Sequence, residues 1–522
     1  MFKCKQLLRR ICVVSYVFLL CGGLVNASNL VSKTNTLIGT QGNGWASGYL
    51  YPGATYPFGM VQFTPTYFTK QLGFVINQLS GAGCDHMGNF PTLPIAGALR
   101  VSPDSILNMQ TPVGKEIGTA GYYAATVDHS IRAELTVTER TGMARYTFSS
   151  KEKQGTVIIG GGVAATSIQV AAIKITGPHS CEGYAEGGAF CGIPTPYKVY
   201  FVAEFDADAE SFGTWKEERL HANHTFAEGS HSGVYFTFPL KEGNQAVQYK
   251  IGVSYVSVEN ARENLRVENP AWDFSAVRQA TQDKWNEYLG KIEVEGDNED
   301  RQMQFYTHLY RSLIHPNVCS DVNGEYMGAD SQVHKTARKF YTSFSNWDTY
   351  RTQTALIAML APEETSDIVM SHYLFAEQSG GGFPRWVLAN IETGVMQGDP
   401  TPILVANAYA FGARNYDPRT LLRTMRYGAE VPGANSQGVL TRPGLEQYLE
   451  KGYYDASILL EYTSSDFAIG RFALQACNDE PVCNWYTQRA MNWKNLFNKE
   501  TGWLQSRNED GSWKRYDADW RE

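Results

Sequence analysis

The stretch Tyr341-Thr-Ser-Phe-Ser-Asn-Trp347-Asp348-Thr-Tyr-Arg351 decides how the second half of the chain is interpreted. It combines aromatic rings, a carboxylate and a guanidinium, and it runs into an apolar segment over 354–360. Ser345 and Asp348 have the spacing of a capping box, which predicts a helix over residues 346–360. Rings beside polar groups are typical of sugar sites, because a ring covers the apolar face of a sugar while polar groups bind its hydroxyls. The alternative is that Asp348 only caps the helix and Trp347 only fills core.

Composition indicates a large folded chain of several domains. The sequence has 522 residues, of which 43% are hydrophobic and 13% aromatic, enough for extensive cores. Charged residues make up 19%, which argues against a coiled coil or a disordered chain. The net charge is -8, and no run rich in Lys and Arg occurs beyond the first ten residues. Nucleic acid is therefore not an expected partner.

Residues 1–27 have the pattern of a signal peptide. Lys3, Lys5, Arg9 and Arg10 precede a short apolar stretch, and Val25-Asn-Ala27 fits a small-residue cleavage site. The apolar run is shorter than the ~20 residues that a membrane span needs. We therefore expect an exported protein, periplasmic or secreted, that does not span a membrane.

Six cysteines remain beyond residue 27, an even number that predicts disulfides in an exported chain. The pairs that are close in sequence are Cys181 with Cys191 and Cys477 with Cys483. Cys84 and Cys319 either pair with each other or stay free, and spacing alone does not decide the connectivity. No spacing is typical of a zinc site.

Residues 28–260 have the pattern of a β-sandwich domain. Residues 134–138 alternate apolar and polar, as a half-buried strand does. Further strands are predicted at 156–159, 168–175, 199–202, 234–238 and 249–258, separated by turns rich in Gly, Asn and Pro. Many strands without intervening helices indicate a sandwich. Residues 261–295 have helical patterns and form a predicted helical linker, in which Asp273 caps the second helix.

Residues 296–522 have a helical period, since Phe305, Leu309 and Leu313 recur every four positions. Further helices are predicted at 346–360, 363–378, 402–413, 418–428, 443–452, 456–477 and 482–498. Long loops between consecutive helices suit an (α/α)6 toroid. The helices are too few for a complete one, so its C-terminal part is expected to be missing. The predicted fold is a multidomain β + α chain, an N-terminal β-sandwich followed by an incomplete (α/α)6 toroid.

Several motifs occur in an order that resembles glycoside hydrolase family 92, from about residue 35 to the last residue. They are Ile38–Asn43, Tyr51–Met60, Leu79–Cys84, Phe305–Leu313, Asp321–Tyr326, Phe344–Arg351, Gly381–Trp386 and Asn390–Met396. The resemblance implies a calcium-dependent exo-acting α-mannosidase that removes terminal α-linked mannose from glycans such as N-glycans or mannan, and we expect it to be a monomer. It also implies inversion, in which a general acid and a general base lie ~6.5–9.5 Å apart. A calcium ion would bind sugar hydroxyls, but the sequence does not identify its ligands.

The resemblance carries over to six substrate-binding residues: Trp347, Asp348, Asn390, Glu392, Gly83 and Cys84. The first two match a tryptophan–aspartate pair of the terminal-sugar subsite, and the next two match an Asn-x-Glu motif. The last two match a Gly-Cys pair on a β-domain loop that closes over the pocket. The alternatives are a Glu392 that only orders its loop, and a tight turn or a disulfide at Cys84. Trp386 either stacks on sugar or packs in the core, and we favour packing.

The candidate general acid is Glu522, the last residue. Its alternative is a surface carboxylate without a catalytic role. The family motif that carries the base, Gly-Asn-Asp-Asp, does not occur in this sequence, and neither does Gly-Asn-Glu-Pro. The chain is therefore expected to be a fragment that lacks the general base. The alternative function is a non-catalytic sugar-binding protein of the same ancestry.

Overall fold

The structure is a computed structural model. It describes residues 29–40, 49–65, 73–103, 113–242 and 245–515. The predicted signal peptide, residues 1–27, and the candidate acid Glu522 lie outside the described residues.

Two antiparallel sheets form the N-terminal half of the described chain. Their strands are β1 Ala54–Thr55, β2 Gln62–Pro65, β3 Phe74–Val75, β4 Thr92–Ala96, β5 Val113–Thr119, β6 Tyr122–Val127, β7 Ile131–Val137, β8 Thr141–Thr147, β9 Gln154–Ile159, β10 Ile168–Gly177, β11 Ser180–Phe190, β12 Ile193–Phe205, β13 Ser211–Lys216, β14 Arg219–Ala222, β15 Phe226–Glu228, β16 Ser232–Pro239 and β17 Ala246–Ser254. One sheet has the order β1-β2-β3-β4-β9-β16-β13-β14, and the other has β15-β10-β11-β12-β17-β8-β7-β6-β5.

Side chains from both sheets form one core, which confirms the predicted sandwich. Alternation directs them there: Cys181, Gly183 and Ala185 of β11 are buried, while the residues between them are only half-buried. Trp215 and Phe236 of one sheet and Phe201 and Tyr146 of the other belong to the same buried cluster. Every strand predicted from the alternation overlaps an observed strand.

The segment predicted as a linker contains two capped helices, α1 Val258–Glu268 and α2 Phe274–Leu289. The Asp273 side chain accepts a hydrogen bond from the backbone N–H of Ala276, as the sequence predicts. The Trp285 indole of α2 donates to the backbone carbonyl of Thr55 over 2.7 Å. The segment therefore packs against the sandwich.

The remaining helices are α3 Glu299–Ser312, α4 Asn346–Thr349, α5 Gln353–Leu360, α6 Pro362–Ser379, α7 Thr401–Ala410, α8 Pro418–Glu430, α9 Leu445–Lys451, α10 Ala456–Cys477 and α11 Glu480–Ala490. Short 3-10 helices cover Leu30–Lys33 and Met491–Leu496. A helical domain thus follows the sandwich, as predicted. Within the described ranges, no helix combines the length and apolar character that crossing a membrane requires.

Short two-stranded ribbons connect these helices. They are β18 Asn317–Val318 with β21 Tyr341–Thr342, β19 Glu325–Met327 with β20 Val333–Lys335, β22 Val387–Leu388 with β23 Ile391–Glu392, β24 Asn435–Ser436 with β25 Val439–Leu440, and β26 Phe497–Asn498 with β27 Trp503–Leu504.

The single helix predicted over 346–360 is wrong, because the backbone leaves the helical conformation between α4 and α5. Thr352 has φ -143° and ψ -39°. The capping box also differs from the prediction. Ser345 precedes α4, but its hydroxyl donates to the Asp348 carboxylate and makes no cap hydrogen bond to a backbone N–H. A one-turn helix results, and the apolar segment forms a separate helix.

The predicted close cysteine pairs are also wrong. The structure joins Cys84 to Cys191, with their Cα atoms 5.1 Å apart, while Cys181, Cys319, Cys477 and Cys483 are free and buried. Cys181 and Cys191 mark the two ends of β11, and an extended strand separates residues ten positions apart by ~33 Å. Cys477 ends α10, where it packs in the helical core.

Hydrogen bonds to backbone carbonyls join the sandwich to the helical half. The Arg311 guanidinium donates to the carbonyl of Tyr51 over 2.8 Å, and Arg140 Nε donates to the carbonyl of Ser320 over 2.7 Å. The N–H of Phe58 donates to the carbonyl of Leu313. Loops from both halves are thereby held against each other.

A buried network of charges links the loops and helices of the second half. Arg442 contacts Asp399 at 2.9 Å and Asp466 at 2.8 Å, and its side chain is fully buried. Arg489 Nε donates to the other oxygen of Asp466 over 2.7 Å. Since every charge has an opposite partner, the network orders these segments with no isolated charge.

Candidate functional site

The candidate site begins at α4, the one-turn helix that contains Trp347 and Asp348. Trp347 is half-buried, and Asp348 and Arg351 are exposed. The Asp348 carboxylate accepts a hydrogen bond from Ser345. The remaining lone pairs of the carboxylate suit the hydroxyl groups of a ligand. A half-buried ring and an exposed carboxylate thus occupy consecutive positions of α4.

Asn346 anchors this turn in the helical core. Its side-chain amide donates to the carbonyl of Pro384 over 3.1 Å and to the hydroxyl of Thr401 over 2.8 Å. Its side chain also lies 2.9 Å from Nε2 of His372, whose ring stacks on Phe344 at 3.7 Å between centroids. The buried neighbour of Trp347 therefore fixes where α4 starts.

Trp386 lies directly behind α4 and joins it to the sandwich. An isolated β-bridge pairs Trp386 with Ser345. The Trp386 ring stacks on Phe190 of β11, with centroids 4.2 Å apart and planes 25° apart. Trp386 is 4% exposed. The Trp386 ring therefore packs against Phe190 in the core, which confirms the interpretation that the sequence favours over stacking on sugar.

Gly83 and Cys84 lie on a loop of the sandwich that reaches the same contact. The disulfide joins Cys84 to Cys191, the residue after Phe190. Gly83 is exposed and Cys84 half-buried. Cys84 thus takes the disulfide alternative, and a chain of contacts runs from its loop through Phe190 and Trp386 to α4.

Glu392 orders the loop that carries Trp386. Its carboxylate accepts hydrogen bonds from the backbone N–H groups of Arg385, Trp386 and Gly394 at 2.7–3.2 Å. Burial raises the pKa of Glu392, and these hydrogen bonds partly oppose that rise. Glu392 therefore orders its own loop, which is the role that the sequence offered as the alternative to binding substrate. Binding of substrate by Glu392 stays a prediction.

Asn390 occupies the two-residue turn between β22 and β23. Its side-chain amide donates to the carbonyl of Gly328 over 3.3 Å, and its own carbonyl accepts from Gln437 over 2.9 Å. These contacts lie between loops. The direct substrate contact predicted for Asn390 stays a prediction.

Three residues that contact the site, Arg351, Glu461 and Tyr350, were not among the predicted binding residues. The Arg351 guanidinium lies 5.0 Å from the Trp347 ring centroid and 3.7 Å from a carboxylate oxygen of Glu461 on α10. The hydroxyl of Tyr350 also donates to Glu461, over 3.4 Å. Arg351 was visible in the opening stretch, but no local pattern indicates Glu461, because 110 positions separate it from Arg351.

No cluster of acidic side chains among the described residues identifies a site for the calcium ion that the resemblance implies. Among them, no group of three or more His, Cys, Asp or Glu side chains could hold a metal ion, whereas calcium takes six to eight oxygen ligands in proteins. The buried carboxylates of Asp399 and Asp466 are neutralised by Arg442 and Arg489.

The β-sandwich lies against the helical domain, and Trp347 and Asp348 lie on the turn that follows Ser345, the residue bridged to Trp386. Residues 34–254 match the model of the glycosyl hydrolase family 92 N-terminal domain, and residues 260–522 match that of the glycosyl hydrolase family 92 catalytic domain. The chain belongs to glycoside hydrolase family 92.

Similar proteins share this architecture. A family GH92 inverting mannosidase from Bacteroides thetaiotaomicron is 25% identical with a TM-score of 0.83, covering 94% of this chain and 68% of that one. A family GH92 α-mannosidase from the same organism is 24% identical with a TM-score of 0.84, and covers 93% of this chain and 68% of that one. At 24% identity, the likeness to this second protein shows that the two chains share a fold.

A protein from Arthroderma benhamiae named an uncharacterized secreted glycosidase is 25% identical over 561 aligned positions, which cover 93% of this chain. The chain spans 66% of the length of that relative.

Proposed function

We propose that this protein is an exo-acting α-mannosidase that hydrolyses terminal α-linked mannose from glycans with inversion. The observation that carries the proposal is the Trp347–Asp348 pair in a family 92 chain. The pair follows Ser345, which is bridged to Trp386, and the Trp386 ring stacks on Phe190 of the sandwich. One of the similar proteins is an inverting mannosidase. A similar α-mannosidase has been solved in complex with mannoimidazole.

The described residues would bind and orient the terminal sugar. The Trp347 ring would cover an apolar sugar face, and the exposed Asp348 carboxylate would accept hydrogen bonds from its hydroxyls. Arg351, which contacts both Trp347 and Glu461, would hold the ring in place. Asn390, Glu392, Gly83 and Cys84 would shape the loops around the sugar.

Inversion requires a general acid on the leaving oxygen and a general base on a water across the ring, ~6.5–9.5 Å apart. Glu522 is the proposed acid, and no residue of this chain is proposed as the base. When bound, calcium would polarise sugar hydroxyls, and its ligands remain unassigned. The relative named as secreted supports export, to the periplasm or the medium.

Two measurements test the proposal. Titration calorimetry of the 522-residue chain with mannoimidazole tests recognition, and we expect saturable binding in preference to a glucose-configured imidazole. Proton NMR of an α-mannoside, incubated with the protein expressed from the complete reading frame, tests catalysis. The β anomer of mannose should appear first, and a calcium chelator should stop its release.

The outcomes separate the competing functions. Binding without mannose release would favour the alternative, a non-catalytic sugar-binding protein of the same ancestry. No binding of mannoimidazole would contradict both functions. Initial release of the α anomer would contradict inversion.

A further inference from the structure

The Cys84–Cys191 disulfide closes a surface link between two segments of the sandwich. Cys84 follows Gly83 on the loop 79–86, and Cys191 lies in the turn between β11 and β12. Cys191 is exposed and Cys84 half-buried. A reagent in solvent can therefore reach this disulfide in the folded protein.

Histidine side chains hold the start of the same loop. The N–H of Leu79 donates to Nε2 of His86 over 2.8 Å, and the N–H of Ser80 donates to Nε2 of His315 over 2.9 Å. His315 follows α3 in the helical half. The loop is therefore fixed at its start by the helical domain and near its end by the disulfide.

Phe190 connects the disulfide to the helical domain. It precedes Cys191, and its ring stacks on Trp386 with centroids 4.2 Å apart. The His86 ring also meets Phe190 edge-on, with centroids 6.2 Å apart. Phe190 thus contacts His86 of loop 79–86, precedes the disulfide in sequence and stacks on Trp386, which pairs with Ser345.

We propose that the Cys84–Cys191 disulfide and Phe190 are positioning elements: together they hold loop 79–86 and Trp386 in register with Trp347, so that sugar affinity depends on the oxidised disulfide. This inference rests on the proposed function for its sugar readout. The physical basis is preorganisation, because a loop that is ordered before binding loses less conformational freedom when the ligand arrives.

The other thiols of the described residues cannot readily replace the Cys84–Cys191 disulfide. Cys181, Cys319, Cys477 and Cys483 are all buried. Burial raises the pKa of Cys181, Cys319 and Cys477, which leaves little thiolate for exchange. A dithiol reagent that reduces the folded protein therefore acts on Cys84–Cys191. The S–S bond breaks, two thiols form, and the reagent supplies two electrons and two protons as it closes to its cyclic disulfide.

Hydrogen exchange followed by mass spectrometry tests the link without any sugar. The native chain is compared before and after reduction, beside Cys84→Ser/Cys191→Ser and Phe190→Ala. Phe226→Ala is the matched control, since Phe226 is 53% exposed on the same sheet. We expect reduction and Phe190→Ala each to speed exchange in segments 79–86 and 384–394. Unchanged exchange at 384–394 after reduction would overturn the inference, whether or not the protein binds sugar.

Mannoimidazole affinity supplies the second arm. We expect reduction to weaken binding about five- to tenfold, the range for freeing one or two ordered groups. In Phe190→Ala, reduction should cause little further loss of mannoimidazole affinity, because the contact between residue 190 and Trp386 is already lost. Phe190→Tyr keeps an aromatic ring there, so its affinity should again depend on the oxidised disulfide. Equal loss on reduction in wild type and Phe190→Ala would overturn the role of Phe190. Absence of binding by the oxidised wild type would count against the proposed function, while exchange still decides the inference.

Discussion

The guanidinium of Arg351 lies 5.0 Å from the centroid of the Trp347 ring, in a cation–π contact beside α4. The same guanidinium lies 3.7 Å from the Glu461 carboxylate on α10. Arg351 thus ties the ring proposed to bind sugar to the longest described helix. The ring orientation depends on a contact that spans two distant segments.

Replacing Arg351 should affect binding more than folding. Arg351→Met keeps the apolar stem and removes the charge, and we expect about two- to fivefold weaker mannoimidazole binding, since exposed cation–π contacts contribute ~0.5–1 kcal/mol. Calorimetric titration measures the affinity. Arg426→Met, which breaks the surface pair with Glu430 on α8, is the control and should leave affinity unchanged. Equal affinities of the two variants would contradict the role of Arg351.

The buried charge network should be sensitive to the loss of one partner. Arg442→Met leaves the carboxylates of Asp399 and Asp466 with one cation fewer, and we expect a loss of ~3–5 kcal/mol in the free energy of unfolding. Urea denaturation followed by circular dichroism measures it. Arg426→Met should cost about 0.5 kcal/mol or less, because its pair with Glu430 is a half-buried i,i+4 pair within one helix. A comparable loss in both variants would show that burial of the network is unimportant for stability.

Three buried histidines predict loss of stability in acid. Burial lowers the pKa of His86, His315 and His372 to about 4, from 6.5. Between these values the unfolded chain binds more protons than the native one, so stability rises with pH. The contribution is fully present above pH 6.5 and is lost as the pH falls towards 4. Burial raises the pKa of Asp321 to about 6 and also raises those of Glu392 and Asp399. These carboxyls oppose the trend set by the three histidines.

Substitution of His86 isolates its share of this pH dependence. Between pH 7 and pH 4, wild type should lose about 3 kcal/mol more unfolding free energy than His86→Gln, because each pKa unit corresponds to ~1.4 kcal/mol. Urea titrations at several pH values measure the difference. His308→Gln, which replaces an exposed histidine of α3, should follow wild type. Parallel stability curves for wild type and His86→Gln would refute the assignment.

Local patterns predicted most of the fold and only part of the site. Alternation and helical period depend on neighbours in sequence, so β10 and α10 were predicted within a few residues. The cysteine pairing failed because β11 holds Cys181 far from Cys191, while the tertiary fold brings Cys84 to it. The break at Thr352 and the approach of Glu461 to Arg351 likewise depend on contacts across the fold. Sugar binding by Trp347 and Asp348 stays a prediction, which rests on a ring and a carboxylate that are adjacent in sequence.

Binding of mannoimidazole by Trp347→Ala tests the central claim most directly. The matched control is Trp503→Ala, which removes an indole that is 67% exposed on β27. Calorimetric titration should show at least about 30-fold weaker binding for Trp347→Ala, since truncating a central aromatic contact typically costs ~2 kcal/mol or more. Trp503→Ala should bind like wild type. Equal affinity of Trp347→Ala and wild type, with both proteins folded, would contradict the assignment of Trp347 to a mannose site.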